Sequence, residues 1–183
     1  MFQNRNNGIS PLLIAVYHSH FEVIKHLIEN RANVNLSSKE NITPLFLALQ
    51  KKNKEIVKYL VENGAEVNKK SFEITPFFLC CKMGDLELVK YLKEKGSNIH
   101  IPNRDGATPF RLCSEFGYLD ILEYLFQCGA DINRATNTNV SPIFAASMRG
   151  RLDVVKYLIS LSASIHVAAN DGSSKIIFSK NKI

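Results

Sequence analysis

Hydrophobic residues recur at helical spacing in short segments along the whole chain. In residues 21–30 the apolar side chains fall on one face of a predicted helix. These side chains are Phe21, Val23, Ile24, Leu27 and Ile28. The runs over residues 55–63 and 119–127 have the same character, and shorter apolar runs over residues 9–17 and 110–115 precede two of these segments. The pattern therefore predicts pairs of short helices, each with an inner and an outer member.

A proline preceded by Ser or Thr marks the start of each inner helix. The hydroxyl caps free backbone N–H groups, and proline is tolerated at the first helical position. These prolines are Pro11, Pro44, Pro76, Pro109 and Pro142, separated by 33, 32, 33 and 33 residues. Twenty-five residues beyond each hydroxyl lie Asn35, Asn68, His100, Asn133 and His166. A period of this length predicts an array of structural repeats.

Short segments between these landmarks carry a recognisable pattern. They are Gly106-Ala107-Thr108-Pro109, Gly64-Ala65-Glu66-Val67-Asn68, Gly129-Ala130-Asp131-Ile132-Asn133 and Leu152-Asp153-Val154-Val155-Lys156-Tyr157-Leu158. With these segments the chain resembles the ankyrin-repeat family. The resemblance implies an all-α repeat solenoid, an ankyrin-type stack of helix-turn-helix units joined by β-hairpin fingers. We expect one domain over residues 1–183, with repeats at about 5–38, 39–70, 71–102, 103–135 and 136–167 and a C-terminal half-repeat at 168–183.

Several positions depart from the family pattern. Asn41 and Asn139 replace glycine at a left-handed position, which asparagine tolerates best among other residues. The third finger is one residue short and has Glu73 at that position, so we expect it to be reshaped, with Phe72 exposed at its tip. Arg31 replaces the glycine that ends an outer helix, which predicts a looser helix end. The family histidine that knits neighbouring repeats is also absent, and we expect packing to substitute for it. The residues in its place are Leu13, Phe46, Phe78, Arg111 and Phe144.

Composition narrows the environment of the protein. Of the 183 residues, 45% are hydrophobic, which is enough for a sizeable core. The net charge of +6 favours acidic partners. No apolar stretch approaches the roughly 18 residues of a membrane span. Residues 9–17 could pass for the apolar part of a signal peptide, but they follow the repeat register and no cleavage site follows. We expect a cytoplasmic protein, with the nucleus as an alternative, and buried thiols at Cys80 and Cys113 rather than a disulfide.

No segment carries a catalytic or metal-binding motif. The local histidine group of His18, His20 and His26 lies in a turn between helices, and no cysteine or carboxylate joins it at zinc-ligand spacing. We therefore expect no enzymatic activity, no cofactor, no metal and no small-molecule substrate.

The family directs two columns of residues into a groove, and both are unusually apolar here. One column lies just before each cap, as in Ile42 and Ile74, and the other at the inner-helix ends, as in Met83 and Phe116. A structural alternative is that branched residues merely stiffen the fingers. Met and aromatic residues favour an interface, and we expect Phe72, Met83 and Phe116 to form one apolar patch. The predicted binding residues are Ile42, Lys51, Phe72, Ile74, Lys82, Met83, Arg104, Phe116, Met148 and Arg149.

The sequence thus predicts a non-enzymatic module that binds a partner protein with an apolar and acidic surface through a concave groove of fingers and inner helices. The alternative is the substrate-recruiting arm of a larger enzyme or ubiquitin-ligase adaptor whose other domains are absent from this chain. Nucleic-acid binding is disfavoured because Glu40, Asp105 and Glu115 interrupt the basic residues on the same surface.

Overall fold

A computed structural model describes residues 8–165, which fold as an all-α repeat solenoid, so the predicted fold class is confirmed. The described part contains ten helices and no strand. The predicted half-repeat at 168–183 lies outside the described residues, as does His166. The helices are α1 Pro11–Tyr17, α2 Phe21–Glu29, α3 Pro44–Gln50, α4 Lys54–Glu62, α5 Pro76–Met83, α6 Leu86–Glu94, α7 Pro109–Phe116, α8 Leu119–Gln127, α9 Pro142–Met148 and α10 Leu152–Ser160.

Each inner helix begins as the sequence predicts. The hydroxyl oxygen of Thr43 accepts a hydrogen bond from the Phe46 N–H at 3.2 Å, and Thr108 does the same for Arg111 at 3.2 Å. Ser10, Thr75 and Ser141 cap their helices with the same geometry. Each capping residue satisfies a donor that the helix itself leaves without a partner.

The outer helices bury one face and leave the other to solvent. In α4 the buried residues are Ile56, Val57 and Leu60, and in α8 they are Ile121, Leu122 and Leu125. Inner and outer helices pack together in four repeats, α1 with α2, α3 with α4, α7 with α8 and α9 with α10. The inner helices α1 with α3 and α7 with α9 also pack together. Apolar burial within and between repeats therefore forms the core.

The chain divides into two compact units, with residues 8–80 and 87–98 in the first and residues 81–86 and 99–165 in the second. The division passes through α5 and just inside the start of α6. Repeat three therefore contributes residues to both units.

The fingers are tight turns rather than β-ladders. In the second finger the Ser38 N–H donates to the Ile42 carbonyl at 3.1 Å, and the Asn41 N–H donates back to Ser38 at 2.9 Å. The fourth and fifth fingers, at Asn103–Ala107 and Thr136–Val140, repeat this pattern. Asn41 and Asn139 have φ values of 58° and 63°, as predicted for their left-handed positions.

The third finger is reshaped, as its missing residue predicts. Ser71 and Ile74 exchange backbone hydrogen bonds of 2.9 and 3.1 Å across a two-residue loop. Phe72 and Glu73 form that loop with φ values of 50° and 63°. Two consecutive left-handed residues form the tight hairpin turn that asparagine and glycine favour. A bulky and an acidic residue hold this conformation at a cost of about 1–2 kcal/mol each.

Asparagine side chains tie neighbouring repeats together at the base of the fingers. Asn35 donates its amide to the Gly64 carbonyl at 2.9 Å, and its side-chain oxygen accepts from the Glu66 N–H at 2.8 Å. Asn68 makes the same pair of bonds with Gly96 and Asn98. These bonds explain why this position of the repeat favours Asn, which occupies it in three of the five repeats.

Candidate functional site

The ten predicted binding residues are distributed over both compact units. The first unit contains Ile42, Lys51, Phe72 and Ile74. The second contains Lys82, Met83, Arg104, Phe116, Met148 and Arg149.

The residues just before the caps belong to the core. This corrects the expectation that they are exposed and line a binding surface. Ile42 is only 3% exposed, and Ala107 and Val140 are also buried. The reason is that the finger turns back toward the helix that follows, so that the residue before the cap lies under the turn with its backbone bonded to Ser38. Ile74 is half-buried, so this column offers little accessible area.

Phe72 is the accessible apolar residue of the third finger. Its side chain is 51% exposed, and its ring centroid lies 5.9 Å from that of the buried Phe46 on α3. The exposed part of the Phe72 ring does not contribute to packing within the first unit. Backbone strain combined with an exposed aromatic ring is typical of a functional position.

Lys51 is engaged with an aromatic side chain at the ends of the inner helices in the first unit. Its ammonium nitrogen lies 3.8 Å from the ring centroid of Tyr17, within the range of a cation–π interaction. The Tyr17 ring meets His18 edge-on, and His18 stacks on His20. The side chain of Lys51 thus covers an aromatic surface and remains exposed to solvent.

Glu115 is the centre of a charge cluster in the second unit. Its carboxylate accepts from Arg111 Nη1 at 2.6 Å and from Arg149 Nη2 at 2.8 Å, and Arg151 Nε donates to the Glu115 backbone carbonyl. Burial would raise the pKa of Glu115, but the Arg149 hydrogen bond and the Arg111 charge outweigh it and hold the pKa below its usual value. The carboxylate therefore stays charged and fixes Arg149 at the end of α9.

A close approach joins the turns of neighbouring repeats beside this cluster. A Cβ on Gly84 would lie 2.7 Å from the Tyr118 ring, so that ring lies directly over the glycine. Tyr118 also stacks on Phe116, with ring centroids 5.7 Å apart. Tyr118 therefore lies between Gly84, the residue after Met83, and the ring of Phe116.

Methionine and arginine extend this surface at the end of α9. Met148 is 57% exposed, and Arg149 follows it directly. Arg151 lies across Gly117, where a Cβ would approach its Cδ to 2.9 Å. We call Met83, Phe116, Tyr118, Met148, Arg149 and Arg151 the helix-end surface.

Two further predicted residues, Lys82 and Arg104, are exposed in the same unit. The backbone carbonyl of Arg104 accepts a hydrogen bond from Asn137 in the next finger, which fixes the main chain but leaves the guanidinium at the surface.

Sequence reasoning did not include Glu115, Tyr118 and Arg151 among the binding residues. The spacing of Arg111 and Glu115 on one helix was a usable signal, because residues four apart face each other. The approach of Tyr118 to Gly84 carried no such signal, because it joins residues of neighbouring repeats.

The described residues hold no cluster suited to metal binding. Between residues 8 and 165, no group of three or more His, Cys, Asp or Glu side chains could hold a metal ion. None of the helices in this part of the chain has the length and hydrophobicity to cross a membrane.

Family models match most of the chain. A model described as ankyrin repeats (3 copies) matches residues 1–71 and 67–136, and a model described as ankyrin repeat matches residues 139–171. No curated protein gives a significant match.

Proposed function

Because this chain belongs to the ankyrin-repeat family, we propose that it binds a partner protein through the concave surface of its fingers and inner-helix ends. Domains of this family are generally protein-interaction modules and typically non-catalytic. In the second unit the proposed contact is the helix-end surface. In the first unit, described by itself, the proposed contact is Phe72.

The observation that carries this proposal is the exposure of Met148 beside a fixed arginine. A methionine that is 57% exposed leaves most of its apolar area in water, where it contributes little to the stability of its own fold. Arg149, next to it, is held by Glu115 rather than moving freely, so less side-chain entropy is lost on binding. Phe116 and Tyr118 add a stacked aromatic pair, the residue type that dominates interface energetics.

The charges around this surface favour a partner that is both apolar and acidic. Arg149 and Arg151 are exposed, and the nearby carboxylate of Glu115 is already bonded to two guanidinium groups. Lys82 and Arg104 add positive charge to the same unit. A carboxylate on the partner would therefore meet arginine donors, and bidentate pairing is the strongest such contact.

A photo-crosslinking amino acid placed at single positions tests the proposal. We expect benzoylphenylalanine at position 116 to crosslink a discrete partner protein in the source cells. The matched control is position 126, because Phe126 is a partly exposed aromatic residue on α8 that contacts Tyr157 instead of the helix-end surface. Equal crosslinking from both positions would contradict the proposed location of the site.

The crosslinked partner then allows a quantitative measurement with purified proteins. We expect Phe116→Ala and Met148→Ala each to weaken binding at least about tenfold, because truncating a central anchor costs about 2 kcal/mol or more. Phe126→Ala should bind normally. If the variants lose stability in proportion to affinity, Phe116 and Met148 are core residues and the proposal is wrong. The identity of the partner also distinguishes an independent module from the recruiting arm of a larger assembly.

A further inference from the structure

The turns between the inner and outer helices of repeats four and five border a polar cavity. The cavity has a volume of about 320 Å³, and its walls include the two left-handed glycines of these turns, Gly117 and Gly150. Phe116 contributes an aromatic wall, and Arg151 and Asp153 contribute charge. All of these residues belong to the second unit. The cavity therefore opens within the helix-end surface, and its charged side chains determine what can occupy it.

Two arginines beside this cavity are held by the same glutamate. Arg149 donates to the carboxylate oxygen Oε1 of Glu115 from Nε at 3.2 Å and from Nη2 at 2.8 Å. Arg151 donates from Nε to the backbone carbonyl of Glu115 at 3.2 Å, and its side chain lies against Gly117. Because both side chains are fixed before a ligand arrives, less conformational entropy is lost when they bind it.

The remaining donors of these two guanidinium groups are available to a ligand. Among residues 8–165, Nη1 of Arg149 and both Nη atoms of Arg151 have no hydrogen-bond partner, and both side chains are exposed. The Glu115 side chain is only 19% exposed, so its carboxylate is mostly covered. A planar guanidinium that is bonded along one edge keeps its other N–H groups for a second partner. The two arginines together therefore offer donors to more oxygens than the two that a carboxylate carries.

Building on the function proposed above, we propose that the acidic group which the partner places at this cavity is a phosphorylated serine or threonine. A phosphate group has three terminal oxygens and a charge of about −1.5 to −2 at neutral pH. Paired arginine forks match its geometry, and arginine clusters are a general means of recognising phosphorylated segments. The exposed Met148 and the half-buried Phe116 then contact the residues on either side of the phosphorylated one.

A protein segment fits this cavity better than the surface of a lipid membrane. Basic segments that recognise anionic lipids generally contain a cluster of about four to eight Lys or Arg residues. Here Arg149 and Arg151 are accompanied by the exposed carboxylate of Asp153, which forms no ion pair with either arginine in the described structure. The local excess of positive charge is therefore small and suits one phosphate group in a restricted space.

Three peptide libraries test this assignment with immobilised full-length protein. Each library has degenerate positions around a central residue, which is phosphoserine, glutamate or serine. We expect the phosphoserine library to be retained at least about tenfold more than the glutamate library. This preference should decrease between pH 7 and pH 5, because the second phosphate pKa is about 6. Equal retention of the phosphoserine and glutamate libraries, retention of neither, or binding only to vesicles that contain phosphatidylinositol phosphates would overturn the proposal.

Substitutions that preserve or remove one charge locate the site. Arg151→Lys keeps the charge but loses the planar fork, so the preference for phosphoserine should decrease at least about fivefold with an unchanged unfolding midpoint. The matched control is Arg134→Lys, because Arg134 is an exposed arginine of the same unit that does not line the cavity. Asp153→Asn should strengthen retention about two- to threefold, because it removes a like charge. Equal effects of the two lysine variants would overturn the proposal, as would weaker retention by Asp153→Asn.

Phosphatase treatment of the source-cell extract separates the phosphate assignment from the proposed function. Benzoylphenylalanine at position 116 should lose its crosslinked partner after this treatment. A partner that is captured equally from treated and untreated extract would leave the proposed function intact and overturn the phosphate assignment. If no discrete partner is captured from untreated extract, the proposed function fails, and retention of the phosphoserine library still decides whether the cavity binds phosphate.

Discussion

At the scale of single residues, Glu115 shows how a substitution in the family pattern is compensated. Arg111 stands where the family has its knitting histidine, and we expected packing alone to replace it. The structure instead gives Arg111 a salt bridge to Glu115, which also binds Arg149 of the next repeat. This charged network links two neighbouring repeats. The buried Nε of Arg111 has no hydrogen-bond partner in the described structure.

Glu115→Gln should lower the free energy of unfolding by about 1–2 kcal/mol at pH 7, because charged hydrogen bonds to two arginines are weakened where the Glu115 side chain is only 19% exposed. The pKa of Glu115 is lowered in the folded state, so its stabilisation is present above the ordinary carboxyl value of 4.5 and is lost as the pH falls through the folded value. Urea unfolding at pH 7 and at pH 3 measures the difference.

The matched control is Glu94→Gln on the exposed surface of α6, which should change stability little at either pH. A Glu115→Gln effect that is as large at pH 3 as at pH 7 would contradict the electrostatic explanation.

Arg31 shows a limit of residue-level prediction. We expected a looser end for α2, because arginine replaces the usual glycine there. Arg31 instead adopts φ of 64°, and the Ala32 N–H still donates to Leu27 at 2.9 Å. Gly64 and Ala65 end α4 with the same bonds. The helix end is therefore retained. The substitution causes backbone strain but does not remove the hydrogen bonds.

At the scale of elements, the helices and turns could be predicted because their signals are local. Thr108 caps α7 by accepting a hydrogen bond from the N–H of the residue three positions later. The missing residue of the third finger changes the turn between Ser71 and Ile74, which is also a local effect. The surface formed by Tyr118 and Gly84 could not be predicted in this way. Its geometry depends on how one repeat approaches the next, and no local pattern records that distance.

The strain in the third finger gives a prediction for Glu73. Glu73→Gly should raise the free energy of unfolding by about 0.5–1 kcal/mol, because relief of the left-handed conformation exceeds the added entropy of the unfolded chain. Thermal unfolding measures the change. Glu40→Gly in the second finger is the control, since Glu40 does not have a positive φ and should lose stability instead. A lower midpoint for Glu73→Gly would show that the turn is not strained.

At the scale of the whole molecule, the cysteines report on global unfolding. Cys80, Cys81 and Cys113 are buried, whereas Cys128 is half-buried. We expect one thiol to react readily with a labelling reagent and three to react only as the protein unfolds. Mass spectrometry after brief labelling identifies the modified residues. A disulfide between Cys80 and Cys113 in the folded monomer would contradict the predicted packing.

Repeat three should be the weakest part of the array. It has the strained two-residue finger, it carries Lys93 where other repeats have an apolar residue, and the division into compact units passes through it. In a repeat protein each unit depends mainly on its neighbours, so a weak repeat opens early. Hydrogen exchange should therefore expose residues 71–102 no later than the flanking repeats. The idea fails if this segment is the best protected.

The asparagine bonds between repeats have a consequence for the chemical ageing of the protein. The side-chain amide of Asn35 donates to the Gly64 carbonyl, and Asn68 donates in the same way to Gly96. Deamidation would replace each NH₂ group with a carboxylate oxygen, which cannot donate and would face a carbonyl oxygen at the same distance. The reaction changes the mass by one unit and removes no atom from the core. Its effect would still fall on the junctions between repeats, so slow asparagine chemistry would weaken these junctions while the hydrophobic packing stays in place.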